Sequence, residues 1–189
     1  DRSGALALYY ADADGELRAR AGEVVLSPRG SRYFGRAMQG ALGTFYGRVG
    51  PEGRRVYAFA APAFAETGGV RGAVIVLVDI AEVEWDWIGD HPPVFFTDGA
   101  GRVFLSNRSE LLGWVRHQQG AALAPPDAPA PDFRAETRGG HEIWRMDWGA
   151  YLPRTALHLA QDEPVIGMSA HVLMDTRPAR RIAWLQTLV

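Results

Sequence analysis

The sequence predicts an α+β protein built from two modules, each an antiparallel sheet flanked by helices, and three observations carry that expectation. Residues 31–80 open with a short amphipathic helix pattern and continue as three strand-like runs joined by turn residues, a helix followed by an antiparallel meander. A strand, a D-x-x-G turn and a return strand occur twice, around Asp12-Ala13-Asp14-Gly15 and Asp98-Gly99-Ala100-Gly101, 86 residues apart and each followed by a helix pattern. Between the two, Gly89-Asp90-His91-Pro92-Pro93 interrupts any regular element and marks a boundary, giving modules 1–90 and 91–189.

In order, Ala5 to Asp12 reads as a strand and Glu16 to Ala21 as its return, with Gly15 supplying the positive φ of the turn. In the helix that follows, Tyr33, Phe34, Ala37 and Met38 share one face and Gly40 stops it. Gly43 to Val49 and Arg55 to Ala61 are strands rich in aromatic and small residues, joined through Pro51-Glu52-Gly53. Val70 to Ile80 is the most apolar run and is expected as a central strand buried on both faces. Glu82 to Ile88, with Trp85 and Trp87, reads as a short helix.

In the second module Val94 to Asp98 and Arg102 to Ser106 form the repeated hairpin. Ser109 to Gln119 is expected to be helical, with Leu111, Leu112 and Val115 inward and Ser109 as N-cap. Residues 121–132 hold four prolines and form a connector. Strands resume over Arg134 to Thr137, Glu142 to Asp147, Leu157 to Gln161 and Met168 to Met174, and a final helix starts at Asp175 or Thr176 with Pro178 in its first turn.

Composition removes several function classes. A chain of 189 residues that is 47% hydrophobic can bury a substantial core and is not a disordered chain. A net charge of −2 lacks the basic footprint of a nucleic-acid binder. All 20 basic residues are arginine, which excludes a Schiff-base lysine, and the lack of cysteine excludes disulfides, thiol nucleophiles and Cys-ligated metals. No apolar run reaches 18 residues, so no stretch reads as a membrane span. The chain enters a strand pattern almost at once and ends in an unfinished apolar helix pattern, RRIAWLQTLV, and is expected to be a segment of a longer protein.

The motifs of residues 31–80 also carry a resemblance. A Y-F-x-x-A-x-x-G helix (Tyr33 to Gly40), a G-x-F-Y strand (Gly43 to Tyr46), an R-x-Y-x-F-A-x-P strand (Arg55 to Pro62) and a G-x-V-I-V-x-V-D-I strand (Gly72 to Ile80) come in that order. This order resembles the extracytoplasmic double-Cache, or tandem PAS-like, sensor region of C4-dicarboxylate-sensing two-component histidine kinases. It is clearest over Ser31 to Ile80, extends loosely to Asn107 and returns at His171 to Arg181. The resemblance implies a membrane-distal, ligand-binding first module and a membrane-proximal second module whose last helix leads to a transmembrane segment. It also implies a periplasmic location and a transmembrane histidine kinase as parent, with a homodimer as an open assembly. Within the segment it implies no catalytic residue, metal or cofactor, and a small anionic organic ligand such as a C4-dicarboxylate.

Carboxylates favour arginine forks, because two parallel N–H bonds match two oxygens, set among a few polar groups on an apolar wall. Arg32, Tyr33, Thr44, Tyr46, Arg55, Tyr57 and Asp79 supply such groups and are the expected ligand-binding set, in a pocket between the Arg32 helix and the sheet with Tyr57 in its wall. Tyr33 and Tyr57 resemble family positions that face the ligand. Two positions depart from the family pattern. The helix opens Ser31-Arg32-Tyr33-Phe34 where the family has Arg-Pro-Tyr-Phe, and Leu77 stands where the family has lysine, so both expected carboxylate anchors are altered.

Other functions keep a place. A chemoreceptor or a diguanylate cyclase can share the same input domain, and a module binding a periplasmic partner protein would use Trp85 and Trp87 as anchors. An α+β hydrolase would draw on His141, Asp147 or Asp162, yet the chain has no G-x-S-x-G elbow, no phosphate-binding glycine loop and no metal-ligand spacing among its five histidines. Asp12 and Asp98 read as turn residues, and His171 as a core or edge histidine rather than a ligand.

Overall fold

Buried residues at alternate positions of several long strands build the core face of each sheet. The computed structural model describes residues 5–89, 92–116, 123–129 and 131–179, which divide into two compact units, Asp1–Asp86 and Trp87–Val189.

In the first unit β1 (Ala5–Asp12), β2 (Leu17–Ala21), β3 (Gly43–Val49), β4 (Arg54–Phe64) and β5 (Val70–Asp79) form one antiparallel sheet in the order β2-β1-β5-β4-β3. One face is the core. Ala7, Tyr9 and Ala11 of β1, Val56, Ala58 and Ala60 of β4, and Ala73, Ile75 and Leu77 of β5 meet Tyr33, Phe34 and Ala37 of α1 (Arg32–Met38) there. A helix of seven residues is too short to stand alone in water, so this packing holds it, with roughly 1.5–3 kcal/mol from a buried Phe34 side chain. Ser31 caps its first turn, accepting from the Phe34 N–H, and the chain turns out of the helix at Gly40. Small residues let the helix sit close: a Cβ on Gly43 would lie 1.8 Å from the Tyr33 carbonyl oxygen. A second helix, α2 (Ile80–Trp85), starts at Asp79, whose carboxylate accepts from the Ala81 N–H at 2.9 Å.

β5 is central, as its sequence suggests, but it is not buried on both faces. Ala73, Ile75 and Leu77 are buried, whereas Val76 and Val78 are half-buried and Val74 is exposed. An antiparallel sheet with a helix on one face leaves its other face open, and valines fit either side of a strand.

In the second unit β6 (Val94–Thr97), β7 (Val103–Ser106), β10 (Phe133–Arg138), β11 (His141–Met146), β12 (Thr155–Glu163) and β13 (Met168–Asp175) form an antiparallel sheet ordered β10-β11-β12-β13-β6-β7. A small pair, β8 (Val115–Arg116) and β9 (Leu123–Ala124), joins its edge through a single antiparallel bridge between Val115 and Arg102. Taken from β7, the order β7-β6-β13-β12-β11 repeats β2-β1-β5-β4-β3 of the first unit, with β10 added at the edge. The hairpin turns repeat as well. Asp12 accepts from the Asp14 and Glu16 N–H groups at 3.1 and 3.0 Å, and Asp98 accepts from those of Ala100 and Arg102 at 2.9 Å each. Gly15 and Gly101 close the two turns at φ of 78° and 74°.

Among the described residues the fold is mostly antiparallel sheet with few helices, and the second unit departs there from the expected flanking helices. The expected helix from Ser109 is a 3-10 turn over Ser109–Leu111, with Arg108 and not Ser109 at its start. Gly113 takes a φ of 81°, and the chain returns as β8, with Trp114 accepting from the Val103 N–H. The expected reach to Gln119 lies outside the described residues from 117 on. The final helix begins at 177, where Asp175 accepts from the Arg177 N–H at 2.9 Å, and its continuation past 179 also lies outside them. Among the described residues no helix is long and apolar enough to cross a membrane.

Candidate functional site

The period of two along β4 divides the expected site. Val56, Ala58 and Ala60 point to α1, so Arg55, Tyr57 and Phe59 point to the opposite face of the sheet. The register pairs Tyr46 with Tyr57 and Thr44 with Phe59, and places Val78 and Val76 on the other side of β4. Cross-strand partners share a face, so Thr44, Tyr46, Arg55 and Tyr57 come together with Phe59. The rings of Tyr46 and Tyr57 stack with centroids 6.4 Å apart, and those of Tyr57 and Phe59 lie 4.7 Å apart. Burial pushes the Tyr57 hydroxyl up from its ordinary pKa, against a hydrogen bond with Thr44 that pulls it down.

At the end of this aromatic row Arg55 meets Glu84 of α2. The two guanidinium nitrogens donate to the two carboxylate oxygens at 2.8 and 2.5 Å, with the side chains only 15% and 10% exposed. A fork of this kind is charge-assisted and fixed in orientation. Glu84 was not in the expected set. Its signal was in the sequence: Ile80 and Glu84 are four apart on one helix, so a helix that buries Ile80 turns Glu84 to the same side.

The remaining members lie elsewhere. Tyr33 is on α1, packed against Phe45 at 6.0 Å, and its hydroxyl donates to the Ser27 carbonyl at 3.1 Å. Burial raises its pKa too. Arg32 is exposed on the same helix. The space between α1 and the sheet, where the pocket was expected, is filled by the hydrophobic core, and Tyr57 is on the other face. Asp79 is the cap of α2 and lies 3.8 Å from Arg54. A cavity of about 490 Å³ lies by the Asp12 hairpin, lined by Gly15, Leu17, Val25, Ser27 and Arg29 among others, and holds none of the seven.

The residues of the alternative readings are dispersed. His141 begins β11 and Asp147 follows its end, about 20 Å apart at the usual strand rise, and Asp162 is bound to Ser169 at 2.5 Å. Trp85 is 70% exposed, whereas Trp87 lies against Phe96 with ring centroids 6.1 Å apart.

The fold is similar to that of several solved structures. No protein family model matches the chain. In sequence it is 36% identical over 81 residues to a beta-ketoacyl-acyl-carrier-protein synthase III of Synechococcus sp. (strain WH7803), a match over 42% of this chain and only 24% of that protein. In structure it is similar to the sensor domain of the V. cholerae histidine kinase DctB, with 19% identity, 90% of this chain and 72% of that one covered, and a TM-score of 0.57. The ligand-binding domain of the Pseudomonas aeruginosa amino acid chemoreceptor PctC, in complex with GABA, aligns at 14% identity over 89% and 74% of the two chains with a TM-score of 0.55. That of the Pseudomonas fluorescens chemoreceptor CtaA, in complex with L-isoleucine, aligns at 15% identity over 94% and 72% with a TM-score of 0.57. These likenesses show the fold: the chain has the Cache-like architecture of sensor and ligand-binding domains of histidine kinases and chemoreceptors.

Proposed function

We propose that this chain is the periplasmic ligand-sensing segment of a transmembrane histidine kinase, with the first unit as the membrane-distal, ligand-binding module and the second as the membrane-proximal one. The ligand is a small organic carboxylate, bound on the sheet face that carries Thr44, Tyr46, Arg55 and Tyr57. The observation that carries this reading is the Arg55–Glu84 fork at the end of a stacked aromatic row. Arg55 is a carboxylate receptor that already holds a carboxylate, and tyrosine rings beside it offer an apolar wall with polar edges.

The same fork bears on ligand class. A zwitterion can replace both halves of the pair, its carboxylate on Arg55 and its ammonium on Glu84, so that no charge is left unpaired. A C4-dicarboxylate brings a second negative charge toward Glu84 and meets neither family anchor, since Ser31 and Leu77 stand in their places. The amino acid and GABA complexes of the structural relatives support an α- or ω-amino acid as the ligand. Signalling requires only that the ligand prefer one of two receptor conformations, and it can shift their balance by no more than that preference. A thermal-shift screen over amino acids and dicarboxylates tests the assignment. Stabilisation by amino acids and not by succinate or malate is expected, and stabilisation by dicarboxylates alone would overturn the ligand class.

A further inference from the structure

Four adjacent strands of the second unit carry one continuous hydrogen-bonded chain through its interior. Glu142 of β11 meets His158 Nδ1 of β12, His158 Nε2 lies 3.0 Å from His171 Nδ1 of β13, and His171 Nε2 lies 3.0 Å from the Thr97 hydroxyl of β6. His158 and His171 are 5% and 1% exposed. Aromatic rings hold the imidazoles in line: Trp144 stacks on His158 at 3.8 Å, His158 on His171 at 5.2 Å and His171 on Phe95 at 4.7 Å.

The partners fix the protons. A carboxylate only accepts, so His158 carries its proton on Nδ1 and leaves Nε2 as an acceptor. His171 must then donate from Nδ1, and its Nε2 accepts from the Thr97 hydroxyl. With both rings neutral every bond is made, and all donors point toward Glu142. One added proton is also accommodated. If His158 becomes an imidazolium, its Nε2 donates to His171 Nδ1, His171 shifts its own proton to Nε2, and the Thr97 oxygen turns from donor to acceptor. A second proton has no such solution, because His158 Nε2–H and His171 Nδ1–H would then face each other across 3.0 Å.

We propose that the Glu142–His158–His171–Thr97 chain is a one-proton switch, which takes up a single proton by reversing its hydrogen bonds and opens the second unit's core when a second proton is forced on it. The charges facing the pair come from three elements: Glu142 on β11 and Asp162 on β12 favour the proton, and Arg116 on β8 opposes it. Burial sets both rings below the ordinary histidine pKa, so the first proton enters on the acid side of neutrality, and the Glu142 carboxylate bonded to His158 draws it to that ring rather than to His171.

Long-range nitrogen–proton NMR of the imidazole rings, on the intact 189-residue chain between pH 8 and pH 4, tests this. At pH 8 both rings should show the Nδ1–H tautomer. On acidification one event should convert His158 to imidazolium and His171 to the Nε2–H tautomer together, before any loss of dispersed signals. Glu142→Gln should move that event to lower pH by about one unit, a tenfold loss of proton affinity. Thr97→Val, which removes the terminal acceptor, should also lower it. Independent titration of the two rings near pH 6.5, or protonation of His158 while His171 keeps its Nδ1 proton, would overturn the proposal.

Discussion

Arg55 and Glu84, 29 residues apart in sequence, form a two-pronged ion pair that ties β4 to α2 at the end of a row of aromatic rings. Pairs this buried cost desolvation as well as giving attraction, so their net contribution is small while the loss of one partner is expensive. Arg55→Met or Glu84→Leu alone should each destabilise the first unit by about 3–5 kcal/mol. The double variant should recover most of that loss, because no charge is left alone. Urea unfolding followed through the first unit checks this. Additive costs in the double variant would contradict the coupling.

Binding should separate the residues that sequence reasoning put together. Arg32 is exposed on α1 and Tyr33 faces the core, so Arg32→Ala should leave ligand affinity within about twofold of the parent chain, a small fraction of 1.4 kcal/mol. Tyr57→Phe keeps the ring and removes one hydroxyl, and should weaken binding by about 0.5–1.5 kcal/mol, or up to roughly tenfold. Arg55→Ala should abolish it. Isothermal calorimetry with L-isoleucine reads all three. Loss of binding in Arg32→Ala would return the site to the helix.

The buried histidines give the second unit a defined pH response. Burial and the neighbouring charges of His158 and Arg116 push His171 down to about 4, and His158 is lowered by burial against the pull of Glu142. The unfolded chain therefore binds these protons first, near its ordinary value of about 6.5. Stability from this pair is full above that pH, declines as the pH falls, and for His171 is lost by about pH 4. Melting temperatures of the second unit should be flat from pH 8 to pH 7 and fall progressively below. His171→Leu should flatten the fall, and a parent chain that melts at the same temperature at pH 7 and pH 5 would contradict this.

Much of the fold was legible because local chemistry and global fold agree in it. The two D-x-x-G turns, Gly40 as a stop and the strands of both sheets follow from turn residues and period-two patterns, whereas Ser31 as the cap of α1 was not read from them. The expected helix from Ser109 failed at Gly113, whose positive φ breaks a run that Leu111, Leu112 and Val115 make look helical. The grouping of the seven expected site residues was half legible. Thr44, Tyr46, Arg55 and Tyr57 share a face because strand registers put them there, but sequence proximity does not say that Tyr33 lies across the sheet. Nor does it show that Glu84 closes on Arg55, or that His158 of β12 meets His171 of β13, 13 residues on. Those contacts depend on tertiary register.

On the proposed function, the first unit receives a molecule carrying both charges through Arg55 and Glu84. Calorimetry of the chain with L-isoleucine, with its carboxamide, which lacks the carboxylate, and with its N-acetyl derivative, which lacks the ammonium, separates the two charges. Each lost charge leaves one half of the fork unmatched, at roughly 1.5–3 kcal/mol, so both derivatives should bind about one to two orders of magnitude more weakly than the amino acid. An N-acetyl derivative that binds as tightly as L-isoleucine would contradict the role of Glu84, and a carboxamide that does so would contradict that of Arg55.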